Sequence, residues 1–147
     1  MRTPLPSVAA VVSFIDRINH GDIAGLGALM TEDHRLVFPE DPPVLGREEN
    51  VAAWVGHVAA FPEYVIYPAQ IVDLGDRVAV LGTTTGSHLG LPDEEERTQW
   101  VVWLAHVRDG LVGRWEILDD GPDVRRRHGL AHDISARGPD PSRRPST

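Results

Sequence analysis

The chain has 147 residues, 22 acidic against 14 basic side chains, a formal charge of −8 and 41% hydrophobic residues, which fits one globular domain with its own core. It holds no cysteine, and every basic residue is arginine. Disulfides, thiolate nucleophiles, cysteine-ligated zinc, lysine Schiff bases and a lysine-bearing phosphate loop are therefore excluded. No apolar run reaches the roughly 20 residues of a membrane span. The first residues, MRTPLPSVAAVV, lack the pattern of a secretory signal. A cytoplasmic protein away from membranes is expected.

In chain order, Ser7 is suited to cap a helix whose Val8, Val11, Val12, Ile15 and Ile18 recur at helical spacing, with Gly21 as the stop. Asp22 suits the cap of a short second helix carrying Ile23, Leu26, Leu29 and Met30, weakened by Gly25 and Gly27. His34 to Phe38 reads as a strand ended by the polar PEDPP. A third helix over Gly46–Phe61 presents Val51, Trp54, Val55, Val58 and Phe61, with Glu48 and Glu49 at its favourable dipole end. Beyond Pro62 the period becomes strand-like. Tyr64–Val72, Arg77–His88, Thr98–Arg108 and Leu111–Leu118 are rich in β-formers joined by short links. Asp109-Gly110 is the clearest hairpin signal. Pro68 cannot donate to a ladder, which predicts an edge or bulged strand. Three helices and a strand followed by four strands make an α+β domain, a curled antiparallel sheet with helices on one face.

Charge is unevenly placed. Residues 125–147 hold six arginines and two aspartates, a charge of +4 that leaves −12 on the rest. An acidic body repels a phosphate backbone, so nucleic-acid binding is not expected. Residues 131–147, above all RGPDPSRRPST from Arg137, read as a disordered tail after a domain over 1–130.

The order of elements, with Asn19-His20-Gly21-Asp22, Gly82-Thr83-Thr84-Thr85-Gly86, Gly90-Leu91-Pro92, Arg97-Thr98-Gln99-Trp100, Arg108-Asp109-Gly110 and Trp115-Glu116-Ile117-Leu118-Asp119, resembles the SnoaL-like branch of the nuclear transport factor 2-like superfamily over roughly residues 8–130. The resemblance implies a cone, in which a curled sheet and three helices on its concave face enclose a pocket. Polyketide cyclases, ketosteroid isomerases, limonene-type epoxide hydrolases, dehydratases and non-enzymatic modules share that fold, so the fold alone does not select the function.

With neither lysine nor cysteine, the chemical toolkit is carboxylate, histidine, arginine, tyrosine and tryptophan. Alternation along the last strand puts Trp115, Ile117 and Asp119 on one face. Asp119 matches the SnoaL-like pattern of an aspartate four residues after the tryptophan, and a carboxylate in an apolar cavity titrates closer to neutrality. A solvated turn at Asp119–Pro122 is the competing reading. Arg97, Gln99, Val101 and Trp103 share a face of the preceding strand. Where the epoxide hydrolases carry Arg-x-Asp, this chain has Arg97 and Gln99, and Ile117 stands where their second aspartate aligns. A glutamine cannot exchange protons but can hold a substrate oxygen, as can Arg97. Arg97 reads equally well as a surface partner of Glu94–Glu96.

Trp54, Trp103 and Trp115 suit either a flat apolar ligand site or ordinary core packing. His57 and His88 are the histidines placed to face the cavity. The seven histidines show no spacing typical of zinc ligands. Glu94–Glu96 and Glu32-Asp33 read as solvated faces. Trp100, Val102 and Leu104 align on the opposite sheet face, which suggests a homodimer.

The resulting expectation is a cofactor-free, metal-free pocket protein for a hydrophobic, carbonyl-bearing small molecule such as a polyketide. Asp119 would be the acid/base, with His88 or Tyr64 assisting. Trp54, His57, Tyr64, Arg97, Gln99, Trp103 and Trp115 would contact the ligand. Two alternatives stay open: a non-catalytic ligand-binding or dimerisation module, and an epoxide hydrolase or epoxide-opening cyclase using other carboxylates such as Asp33 or Glu49.

Overall fold

The computed structural model describes residues 4–132. The chain runs α1 (Ser7–Asn19), α2 (Ile23–Ala28), β1 (Met30–Val37), β2 (Val44–Leu45), α3 (Arg47–Ala60), β3 (Val65–Asp73), β4 (Arg77–Thr85), α4 (Asp93–Glu96), β5 (Val101–Arg108), β6 (Leu111–Asp119) and α5 (Pro122–Arg127). The strands form one curled sheet in the order β2-β1-β6-β5-β4-β3. The α+β class holds, but the sheet is mixed rather than wholly antiparallel, because β1 runs parallel to β6. Parallel neighbours need a long crossover. Here that crossover is α3 together with the β3–β4–β5 meander.

Local chemistry explains the elements. Asp22 accepts from the Gly25 amide at 2.9 Å and caps α2. Asp109 and Gly110 both have positive φ, 54° and 77°, the backbone of a two-residue hairpin turn. The β3 register shifts between Pro68 and Gln70, and β3 is an edge strand, as the proline predicts. The strand expected from Thr98 begins only at Val101. Residues 97–99 instead form a turn after α4.

Two asparagines fasten helices to strands. Asn19, at the end of α1, accepts from the Ile66 amide at 2.8 Å and donates to the Ile66 carbonyl at 2.9 Å. Asn50, fully buried in the first turns of α3, donates to the carbonyls of His34, Val44 and Gly46 at 2.8–3.2 Å. Between these anchors lies the main core on the concave face, built from residues such as Phe14, Ile18, Trp54, Ile66, Val80, Trp103 and Trp115.

The convex face carries a second core of Ala79, Leu81, Val102, Leu104 and Leu130, with Trp100, Leu118 and Val124 packed against it. Val102 is fully buried, Leu104 is buried and Trp100 is half-buried, so packing within the chain covers most of the stripe that suggested a dimer. Arg125 holds that cover down. Its guanidinium, almost wholly buried, pairs with both Asp120 oxygens at 2.7 and 2.8 Å and donates to the Ala131 and His132 carbonyls. It also lies 5.7 Å from the Trp100 ring centre. Ala131 donates to Gln70 at 2.8 Å, so residues 131 and 132, expected in the tail, are tied to the body. The rest of that expected tail lies outside the described residues.

Removing one partner of a buried ion pair strands the other. Arg125→Ala should cost roughly 2–4 kcal/mol of unfolding free energy and raise the solvent exposure of Trp100. Urea unfolding followed by tryptophan fluorescence checks both.

Candidate functional site

Strand alternation sorts the site residues by face. Trp103, Trp115 and Ile117 lie on the concave side as expected. Their rings are packed rather than free. Trp103 and Trp115 are each 1% exposed and stack at 6.3 Å between centroids, and Phe14 lies 5.0 Å from Trp115. His34, which sequence reasoning left at the head of a strand, is fully buried against Phe14, at 5.7 Å. Its Nδ1 lies 2.6 Å from the Val112 carbonyl. A carbonyl only accepts, so Nδ1 carries the proton and Nε2 the lone pair.

A second group gathers where β4 and β6 end and β3 and β5 begin. Trp54 and His57 project from one face of α3, with Asn50 one turn before Trp54. His57 packs edge-on against Tyr64 at 4.7 Å and against Trp54 at 5.2 Å, with Phe61 also at 5.2 Å. Burial and the nearby His88 lower the His57 pKa. Burial first, and the negative charge of Glu96 second, hold the Tyr64 phenol far above its ordinary range. Tyr64 is therefore a proton-bearing donor at any ordinary pH.

Glu96 is the residue that sequence reasoning missed. It is 1% exposed. The Thr84 hydroxyl donates to Glu96 Oε2, and the Ser87 amide donates to Oε1 at 3.4 Å. The acidic run reads as solvated, yet Pro92 starts a helical turn there. On such a turn Glu96 rotates back towards the body while Asp93, Glu94 and Glu95 stay exposed. The run Thr83-Thr84-Thr85 was the available sign of hydroxyls placed to meet a carboxylate.

Several expected positions differ. Arg97 leaves the α4 turn on the other side of the sheet. Its Nε donates to Thr83 at 3.0 Å and its guanidinium sits 3.9 Å from the Tyr67 ring centre. Thr83 and Tyr67 face the convex side, so Arg97 does not share a face with Trp103. Gln99 is exposed in the turn, because β5 starts two residues later. His88 is exposed on the loop after β4. Asp119 closes β6 on the concave register but is exposed. The apolar enclosure expected around it is not found there. Asp33 is exposed and bound to Thr31 and Arg108, and Glu49 is exposed on α3. Among the described residues no cluster of three or more histidines or carboxylates forms, and no helix is long and apolar enough to cross a membrane.

The chain belongs to the SnoaL-like domain family, whose model matches residues 11–115. Its solved structural neighbours include a putative polyketide cyclase from Sinorhizobium meliloti (23% identity, TM-score 0.64, 78% of this chain and 95% of that one). A putative SnoaL-like polyketide cyclase from Jannaschia sp. CCS1 is similar at 22% identity and TM-score 0.63, covering 90% of this chain and 99% of the other. A putative ketosteroid isomerase from Kribbella flavida matches at 20% identity and TM-score 0.58, over 81% of this chain and 84% of its own. A comparison with curated proteins finds no match. These likenesses establish the nuclear transport factor 2-like fold.

Burial lowers the pKa of His34, His57, His106 and His128 from the ordinary 6.5. The unfolded chain then binds more protons than the folded one just below that value, so stability rises with pH through that window and falls as pH drops below about 6.5. Urea unfolding at pH 5 and pH 7 should show the loss on the acid side. His34→Phe, which removes the most buried of these imidazoles, should flatten the slope.

Proposed function

We propose that this protein binds a hydrophobic carbonyl compound on the concave side of its sheet and catalyses cofactor-free proton transfer on it: isomerisation, aldol-type cyclisation or dehydration. The observation that carries the reading is a buried carboxylate, Glu96, beside a phenol held in its protonated form. A base and a hydrogen-bond donor in a water-poor setting are what enolisation requires. Glu96 takes the proton from the carbon next to the carbonyl. The C–H electron pair becomes the enolate π-bond and the charge moves to oxygen. Tyr64 donates a hydrogen bond to that oxygen, and the protonated Glu96 returns the proton to a different atom or to a leaving hydroxyl.

Trp54 and His57 form the apolar wall. Neutral His57 adds no cation that would compete for the carboxylate. Asp119 and His88, both exposed, stand at the rim, where they meet the ligand on entry. Arg97, on the opposite face, holds the α4 turn in place. The cyclase and isomerase names among the structural neighbours support the same class of chemistry.

One observation favours a second reading, a non-catalytic binding module. Both Glu96 oxygens already accept from the protein, which is also how a purely structural carboxylate is held. Hydrogen–deuterium exchange at the α-carbon of aromatic ketones and β-dicarbonyl compounds, followed by NMR, separates the two. The protein should accelerate exchange, and Glu96→Gln should lower that rate by roughly 10²–10⁴ while leaving ligand binding by tryptophan quenching nearly unchanged. Tyr64→Phe should cost about 10²–10³, and Asp119→Asn much less. Tight binding with no exchange across the set would establish the binding module instead.

A further inference from the structure

A row of positively charged and chargeable side chains crosses the convex face of the sheet. Arg35 pairs with Arg114, Arg114 with His106, and His106 with Arg77, directly opposite one another on β1, β6, β5 and β4. Their chain neighbours Leu36, Trp115, Ala105 and Val78 fill the concave core, so alternation sends all four outwards. Like charges opposite each other on a sheet repel, and here they align in a chain whose net charge is −8.

The acids nearby neutralise the row only in part. Glu116 pairs with Arg114 at 3.1 Å, and Asp33 is taken by Arg108 at 3.0 Å. Asp76 lies at the margin. Arg35 and Arg77 have no ion pair among the described residues, and the buried Nε of Arg114 has no hydrogen-bond partner. The row opens into a cleft of about 420 Å³ lined by Asp33, Arg35, Asp76, His106, Arg108 and Arg114. The cleft is at the opposite end of the strands from Glu96, and on the other face.

We propose that this cleft is a binding site for a small polyvalent oxyanion of the phosphate class. An arginine presents a planar fork of donors that matches two oxygens of one such group. Arg35 and Arg114, side by side across a strand pair, grip it from two directions. His106 adds a third donor. A long polyanion fits less well, because the acidic remainder of the surface repels it.

Inorganic phosphate is titrated into the whole chain against chloride at equal ionic strength, with the His106 ring resonances and the thermal midpoint as readouts. Saturable binding specific to phosphate is expected. Arg114→Gln should weaken it at least about tenfold, as loss of a charge-assisted fork does, and Arg35→Gln several-fold. Arg17→Gln, a remote exposed arginine, should change nothing. Because Arg35 is exposed, its variant keeps the test valid if Arg114→Gln fails to fold. Glycerol phosphate binding more tightly than phosphate places the recognised group on an organic ligand; the reverse order identifies the free ion. A response no larger than that to chloride, or one equal in Arg114→Gln and Arg17→Gln, overturns the proposal. So does a change in oligomeric state in Arg114→Gln with phosphate binding intact.

Discussion

One side-chain amide sets the position of half the candidate site. The Asn50 Nδ2 group serves three carbonyls, from β1, from β2 and from the turn that opens α3. Two hydrogens shared among three acceptors hold the amide in place, and the His34 and Gly46 carbonyls also accept from the Gly46 and Asn50 backbone amides at 2.7 and 3.0 Å, so side chain and backbone tie the same joint. The rest of α3 inherits that geometry. Trp54 and His57 follow at one and two turns along the same face, which is why their rings meet each other and Tyr64 rather than solvent. At the far edge, the Asn19 pair with Ile66 performs the matching task for α1 and β3. The concave space is thus bounded by two helices, each pinned to a strand by a single asparagine.

The other half of the site depends on how one short turn meets the end of β4. Consecutive residues of α4 and its exit go to opposite sides of the sheet: Glu96 to Thr84, Arg97 to Thr83. The pair acts as a saddle across the strand. Glu96 brings its carboxylate into the interior, and Arg97, resting on the Tyr67 ring, keeps the turn from rolling away. Backbone geometry at the strand end supports this. A Cβ placed on Gly86, whose φ is +71°, would lie only 2.4 Å from the Glu63 carbonyl oxygen, so the chain can leave β4 at that point only as glycine.

Most of the architecture was legible because it rests on periodicity and turn chemistry. The helical stripes of α1 and α3, the alternation of β5 and β6, the Asp109-Gly110 turn and the edge position of Pro68 are local signals that tertiary packing confirms. What was not legible depends on longer-range geometry. The parallel β1–β6 pairing is set by where the meander returns, which no local window encodes. Gln99 was misplaced because Thr98, Gln99 and Trp100 look like strand formers, whereas the α4 turn delays β5 to Val101. Glu96 was hidden in a run of four acidic residues whose burial differs by position on one helical turn. Asp119 was assigned the correct face, yet facing the concave side at a strand's last residue does not exclude water. Arg125 and His128, in a stretch read only for its positive charge, are buried, the first by its bidentate pairing with Asp120.

The parallel closure of the sheet has a consequence for how the chain comes together. β1 is made early, yet its permanent neighbour on one side is β6, whose first residue comes 81 positions after that of β1. On its other side stands only the two-residue β2. Contacts between residues so distant along the chain slow folding, because the loop between them must be ordered first. During synthesis at the ribosome, α1, α2, β1 and α3 emerge with their apolar faces uncovered, and the hairpins β3–β4 and β5–β6 can form before the first strand is captured. The last step is then the insertion of β1 beside β6, which completes the concave wall. A chain interrupted before residue 111 would lack the edge on which that strand docks.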